Sequence, residues 1–304
     1  MSIIRPEKII YGVEDMEAGV RYFEDWGLEL VESGETGADF KTAENQHVVL
    51  RKKSDPDLPP VPNDGPTAHE VIWGVTDADD LERFGSALST DRDVRIDDDG
   101  SVHSIDESGF AIGFMVAERT PVELPAVDMN YHTNITRLNT PVMPDARVKP
   151  VRMGHVVYGI KRADAERASA FYMDRLGFKL TDRCQDMGDF MRVPGLTDHH
   201  SLFLSFRADV AAFNHIAFEV DNLDAVMMGG TYMNSQGWET ASGPGRHYHG
   251  SNVFWYTHNP SGGSTEYFSD MDRMDDDWES RIFEQGQGYA SWVIGGKRLI
   301  QKPA

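Results

Sequence analysis

Cysteine occurs once in the 304 residues, as Cys184. A single thiol excludes a disulfide framework and a thiolate-held zinc cluster, and it fits the reducing cytoplasm expected for this chain. Basic residues are also scarce. Lys and Arg number 29 against 50 Asp and Glu, a formal net charge of -21. Such a field repels phosphate backbones, so nucleic acid is not an expected partner. No run of about 18 apolar residues occurs, so no transmembrane helix and no membrane partner are expected. The opening MSIIRPEKII lacks the apolar stretch of a signal peptide and leads straight into a strand pattern. No glycine-rich phosphate fingerprint follows a strand, since the glycines of 243–250 lead into a strand and open no helix. The Gly-x-Ser-x-Gly elbow of serine hydrolases is missing as well.

What the chain does have is a repeated pattern. Lys8-Ile9-Ile10-Tyr11-Gly12-Val13 and His155-Val156-Val157-Tyr158-Gly159-Ile160 share an apolar frame, and each runs into a helix-like segment. Further copies start at Glu70 and Asn214. In the first copy Asp15 can cap a helix with the stripe Met16, Val20, Tyr22 and Phe23, and Gly27 ends it. Helices are predicted near 79–88, 162–175 and 223–234 in the others, each followed by about three short strands. The predicted fold is α+β, with four βαβββ modules in two pseudo-symmetric domains, 1–140 and 141–304. One short sheet leaves a face to bury, and two modules can close around a shared interior. Pro121, Pro125, Pro141, Pro144 and Pro150 mark 119–150 as a surface linker between the halves, with packing of part of it across both domains the alternative. The acidic tail after Asp270 carries Trp278, Phe283, Tyr289 and Trp292, so part of it should pack back.

Three residues of the second half occupy corresponding places. His155 opens the first strand of the third module, and His215 opens that of the fourth within Asn214-His215-Ile216-Ala217-Phe218. Glu266 lies in the last strand of the fourth. They are far apart in sequence, so only paired modules can unite them. The first half is an internal control. Aligned on the same frame, Lys8, Glu70 and Gly113 stand opposite His155, His215 and Glu266, and they make no metal triad. The first half is therefore expected to be a metal-free scaffold. Two imidazoles and a carboxylate are the facial set suited to non-haem Fe(II), with positions left open for substrate and O2; Mn(II) accepts the same ligands. Taken singly, His155 and His215 read equally well as hydrogen-bonded residues at strand starts.

With these residues in place, the sequence resembles the type I extradiol ring-cleavage dioxygenases. These are the catechol 2,3-dioxygenase and dihydroxybiphenyl dioxygenase group of the vicinal-oxygen-chelate superfamily. The resemblance spans nearly the whole chain and implies the vicinal-oxygen-chelate architecture, with the active site in the C-terminal domain. His155 in Gly-His-Val, His215 in Asn-His-Ile-Ala-Phe and Glu266 match the family's iron ligands, and His200 in Asp198-His199-His200-Ser201-Leu202 matches its catalytic histidine. His247 and Tyr256 match the histidine and tyrosine that support the bound substrate. The approach to Glu266 is Asn259-Pro260-Ser261-Gly262 where the family usually has Asp-Pro-x-Gly. Tyr248 and His249 stand where several members carry small or amide residues. Ser242 falls about where a branch acting on carboxylated catechols has an arginine, although Arg246 is near. The resemblance implies cleavage of a small aromatic diol beside its hydroxyls, to a ring-opened semialdehyde or related dienoate. It implies Fe(II) or Mn(II) as cofactor, O2 as co-substrate, and a homo-oligomer.

For that chemistry His200 is the acid/base residue, since imidazole titrates near neutrality. His199 is expected to turn away from it by strand alternation. Tyr256 can donate its hydroxyl to a substrate oxygen, and His247 can bond the substrate or hold Tyr256. Read without the resemblance, Phe254-Trp255-Tyr256 is an aromatic core strand and His247 a turn residue. Val157, Phe190, Met191, Phe203 and His249 are the candidate substrate-binding residues, with core packing the alternative for the apolar four. Two other functions stay open. One is a glyoxalase-like metal-dependent isomerase, which needs a fourth protein ligand or a thiol-conjugate pocket. The other is a non-catalytic binding protein for an aromatic ligand.

Overall fold

A computed structural model describes residues 3–124, 129–143, 147–207, 209–284 and 288–294. Pro125 and Pro144 of the expected linker lie outside the described residues. The first module comprises β1 (Ile3–Val13), α1 (Met16–Trp26), β2 (Glu29–Ser33), β3 (Gly37–Lys41) and β4 (His47–Lys52). The second comprises β5 (Thr67–Val75), α2 (Ala78–Leu88), β6 (Arg95–Ile96), β7 (Val102–Ile105) and β8 (Ala111–Val116). In the third, β9 (Arg152–Lys161) leads through a helical turn into α3 (Ala165–Ala170), then β10 (Lys179–Cys184), β11 (Gly188–Arg192) and β12 (Leu202–Arg207). The fourth has β13 (Ala212–Glu219), α4 (Leu223–Ser235), β14 (Thr240–His247), β15 (Val253–His258) and β16 (Ser264–Ser269). Each is a βαβββ unit. Two tail strands follow, β17 (Arg281–Phe283) and β18 (Ala290–Val293). No described helix is long and apolar enough to cross a membrane.

The local signals act as their chemistry requires. Asp15 caps α1 by accepting from the Ala18 amide at 2.9 Å. Gly27 ends it at φ +92°, a conformation that favours glycine, and its amide returns to the Glu24 carbonyl at 3.0 Å. One segment differs from expectation. The glycine-containing stretch 243–250, read above as leading into a strand, is itself strand β14 as far as His247, paired with β15 on one side and β18 on the other. Register shifts between Thr240 and Ser242 and between Ser242 and Gly245 accommodate Pro244, which a regular ladder would not.

Modules join pairwise by antiparallel pairing of their first strands. The first sheet runs β2-β3-β4-β1-β5-β8-β7-β6 and the second β17-β10-β11-β12-β9-β13-β16-β15-β14-β18. The strand register reproduces the alignment of the two halves. Lys8 lies opposite Ile72 as His155 lies opposite Ala217, and Ile72 lies opposite Gly113 as Ala217 lies opposite Glu266. Ile10 faces Glu70 as Val157 faces His215. In the first half this place is filled by protein. His103 Nδ1 bonds Glu70 Oε1 at 2.7 Å, and a Cβ on Gly113 would come within 3.1 Å of both groups.

The halves do not stand apart as a linker between them suggests. One buried apolar cluster runs through both, from Ile9 and Phe23 to Val156 and Tyr267. Helices seated on their own sheets also pack across the interface. From the first module, Trp26 stacks on Tyr267 of β16 with ring centroids 3.6 Å apart. In return, Tyr172 beyond α3 donates to Asp106 at 2.8 Å, and Phe178 packs edge-on to Trp73. Val148, Pro150 and Val151 are buried, whereas Arg147 and Lys149 between and before them stay exposed.

Asp106 gives this interface a pH signature. Its carboxyl accepts from Tyr172 and from the Ser108 and Phe110 amides, yet burial pushes its pKa up to about 6. An unfolded aspartate titrates near about 3.9. The folded protein therefore holds this proton more tightly, and the stability it contributes is full below about pH 4 and lost as pH rises through about 6. Asp106→Asn removes the effect. Between pH 4 and pH 7 the stability difference should move in the variant's favour by about 2–3 kcal/mol. Urea denaturation of both proteins at the two pH values measures it, and a pH-independent difference contradicts the assignment.

Candidate active site

Pairing in the second sheet sets the three metal candidates side by side. His155 on β9 and Glu266 on β16 flank Ala217 of β13 in one row. His215 is two residues from Ala217 on the same strand, hence on the same face. His155 Nε2 lies 3.0 Å and His215 Nε2 3.3 Å from Glu266 Oε2. One ligand atom from each lies within 4.8 Å of the others, and all three side chains are buried.

The donor set fits a divalent ion. Donors held at about 2.1 Å in adjacent octahedral positions are about 3.0 Å apart. His215 Nε2 is buried without a hydrogen-bond partner, an atom that a metal would satisfy. Its other nitrogen, Nδ1, donates to Asn214 Oδ1 at 2.7 Å, so Nε2 is the bare one. Asn252 donates to Glu266 Oε1 at 3.0 Å and leaves Oε2 for the shared point. Burial opposes ionisation of Glu266, but His155 beside it and contacts with His215 and His247 hold its pKa well below the usual carboxylate range.

A cavity of about 380 Å³ opens onto His155 and His215, with Glu266 buried beside them. Its lining draws on strands from β11 to β15, five steps apart in the sheet order. In a flat sheet those strands would be about 24 Å apart, so the sheet curls around the cavity. Val157, Phe190 and Phe203 line it, and the two phenyl rings stack at 4.0 Å. Met191 does not line it. Alternation along β11 turns Met191 to the face opposite Phe190, where it is fully buried in the apolar core.

His200, His247, His249 and Tyr256 supply the polar wall. The His200 ring lies 4.3 Å from that of His155, and burial together with His155 and His199 lowers its pKa well below the ordinary imidazole value. His247 Nδ1 donates to the Tyr289 carbonyl at 3.0 Å, which leaves Nε2 to accept from the Tyr256 hydroxyl at 2.9 Å. Of the two roles weighed for His247, it therefore holds Tyr256. Burial and the nearby Glu266 raise Tyr256 well above its ordinary pKa, so it stays neutral and can donate. His249 stacks on Phe190 and lies 3.3 Å from the Cys184 thiol. Burial and Asp182 push that thiol up to about 12, so it is not a nucleophile.

His199 departs from expectation. Residues 198–200 precede β12 and are not extended strand, so alternation does not govern them. His199 Nδ1 lies 3.1 Å from His200 Nδ1, and its Nε2 lies 3.0 Å from Asp182 Oδ2. Sequence reasoning also passed over Asp182, Asn252 and Tyr289. Nothing local marks them, because each reaches the site through pairing of distant strands. The tail does pack back: β17 pairs with β10, β18 with β14, and Tyr289 reaches the cavity. Trp278 donates to the Thr181 carbonyl at 3.1 Å, whereas Trp292 remains exposed.

Residues 152–270 match the family described as Glyoxalase/Bleomycin resistance protein/Dioxygenase superfamily. Metapyrocatechase 2 of Cupriavidus necator is 36% identical over 126 residues, 41% of this chain and 38% of that protein. Biphenyl-2,3-diol 1,2-dioxygenase of Paraburkholderia xenovorans is 31% identical over 148 residues, 47% of this chain and 44% of that one. The matched regions thus span about two fifths of these curated relatives. The Mn(II)-bound glyoxalase from Novosphingobium aromaticivorans superposes with a TM-score of 0.76 at 22% identity, over 100% of this chain and 95% of that one. A catechol 2,3-dioxygenase superposes with a TM-score of 0.71 at 18% identity, over 99% of this chain and 100% of that one. At such identities the likeness is one of fold, and that fold is the vicinal-oxygen-chelate arrangement of paired βαβββ modules. Through residues 152–270, the chain is similar to the glyoxalase/bleomycin resistance protein/dioxygenase superfamily.

Proposed function

We propose that the protein is an Fe(II)-dependent extradiol dioxygenase, opening a catechol-type ring with O2 beside the diol. In this reading 1–140 is the metal-free scaffold and 141–304 the catalytic domain. The observation that carries it is the convergence of His155, His215 and Glu266, the two histidines lining an aromatic-walled cavity that also holds His200 and the carboxylate buried beside them. The similarity to metapyrocatechase 2 and to the biphenyl-diol dioxygenase supports the same chemistry. A bound divalent ion would favour the ionised diol and bring it together with O2.

The remaining work falls to the chain. Phe190 and Phe203 hold the ring and exclude water. His200 takes a proton from the diol and returns it during ring opening. Tyr256, whose one hydroxyl hydrogen rests on His247 Nε2 before substrate binds, turns that hydrogen to a substrate oxygen when the diol enters. Mn(II) fits the same donors, and metal titration decides between the two ions. A glyoxalase-like isomerase needs a fourth protein ligand. Among the described residues the cluster has three, and Nε2 of nearby His247 is engaged by Tyr256.

The test is oxygen uptake and appearance of a yellow product when protein loaded anaerobically with Fe(II), or with Mn(II), meets a panel of substituted catechols. No uptake with either ion across the panel would sink the proposal. His200→Asn should lower kcat by about 10²–10⁴-fold while metal content and anaerobic catechol binding persist. Unchanged oxygen-uptake kinetics in that variant would remove His200 from its role.

A further inference from the structure

Behind His200 lies a line of buried polar groups to which the reaction above gives no task. Asp182 on β10 is completely buried. Arg281, on tail strand β17, donates to both its oxygens, from Nε at 2.9 Å and from Nη2 at 2.6 Å. His199 Nε2 lies 3.0 Å from Asp182 Oδ2, and His249 Nδ1 lies 3.6 Å from the same oxygen. His199 Nδ1 in turn lies 3.1 Å from His200 Nδ1. The line therefore runs from the tail strand to the cavity wall through four side chains.

The hydrogens on this line can be placed by elimination. Burial opposes the charge on Asp182, but His199, His249 and Arg281 keep it ionised, well below the usual carboxylate range. A carboxylate only accepts, so His199 Nε2 carries a hydrogen. Burial keeps His199 neutral by lowering its pKa. Its Nδ1 is then a bare acceptor, and the hydrogen between the two rings belongs to His200 Nδ1. A neutral imidazole has one such hydrogen, so His200 Nε2 is bare. Nδ1 is committed to His199 and the ring lines the cavity, so Nε2 is the nitrogen left for the substrate.

We infer that Asp182 and His199 are positioning residues that fix His200 in the tautomer with a bare Nε2 on the cavity side, ready to accept a proton, with Arg281 holding Asp182 in place. The inference rests on the acid/base role of His200 in the proposed reaction. Without the line, either nitrogen of His200 can carry the hydrogen, and part of the protein would present an Nε2–H that cannot act as a base.

His199→Phe keeps the size and aromatic surroundings of the side chain, including its edge contact with Phe190, and removes the acceptor. It should lower kcat roughly 10–100-fold, with KM and metal content unchanged. His199→Gln is the rescue, since its carbonyl can accept from His200 Nδ1 while its amide nitrogen donates to Asp182. Asp182→Ala should resemble His199→Phe, and the double variant should be no worse than either alone. A second readout does not depend on turnover. Nitrogen-15 NMR of histidine-labelled, metal-free protein, with the His200 signals assigned by their loss in His200→Asn, should show the hydrogen on Nδ1 in the wild type. It should show a mixture in His199→Phe and recovery in His199→Gln. A wild-type hydrogen on Nε2, or an unchanged kcat in His199→Phe, overturns the inference. Absence of oxygen uptake in the wild type overturns the ring-cleavage proposal instead, and the NMR result still decides the tautomer.

Discussion

Metal affinity should fall by on the order of 100-fold or more when His155 is replaced by alanine, since loss of a mere supporting partner already costs about 10–100-fold. Three donors become two, and the loss extends to a neighbour. His155 is the strongest influence holding the Glu266 carboxyl ionised against its burial. Without it, burial favours the protonated acid, which is a poorer ligand. Glu266 would keep Asn252 on Oε1 and His215 near Oε2. Elemental analysis after gel filtration, with anaerobic Fe(II) and Mn(II) titrations, measures the effect. Undiminished occupancy would remove His155 from the ligand set. His200→Asn separates the two roles: it should keep the metal and lose turnover, whereas His155→Ala loses both.

Trp26→Ala should destabilise the whole chain by about 3–5 kcal/mol, the range for truncating a fully buried large aromatic. The indole stacks on Tyr267 at 3.6 Å and meets Phe218 edge-on at 6.0 Å, both in the fourth module. Its Nε1 is buried without a partner, so deletion also removes an unpaired donor and places the value toward the lower end. The bond from the Tyr267 hydroxyl to the Trp26 carbonyl survives, because it reaches backbone. Urea denaturation followed by circular dichroism gives the measurement. A loss below about 1 kcal/mol, the size of an ordinary substitution, would mean that α1 is not docked on the second half. The site should feel this change, because Tyr267 adjoins Glu266 on β16.

The same packing across the interface explains why the organisation at 119–150 was only partly legible. Prolines signal an irregular connection, and such a connection is there, yet nothing in composition reveals that α1 also packs against the far sheet. Met191 and His199 were misplaced for a related reason. Alternation states that neighbouring residues oppose each other, but which one faces the cavity depends on register, and at His199 the chain is not extended at all. Strand β14 was hidden because its glycines and Pro244 read as a turn until β15 and β18 pair with it.

The sequence by itself determined the order of elements as far as α4, the ends of α1, the equivalence of the two halves, and the residue types of the triad. Caps and periodicities are local, acting over a turn or a few residues, and a repeated apolar frame carries one strand's register to its copy. Only the tertiary structure decided that His155 and Glu266 share a row with Ala217 between them, that Asn252 and Asn214 orient the ligands, and that Asp182 stands behind His200 through His199. Those relations depend on pairing between strands distant in sequence and on the burial of charges. Neither exists until the sheet has curled around its cavity.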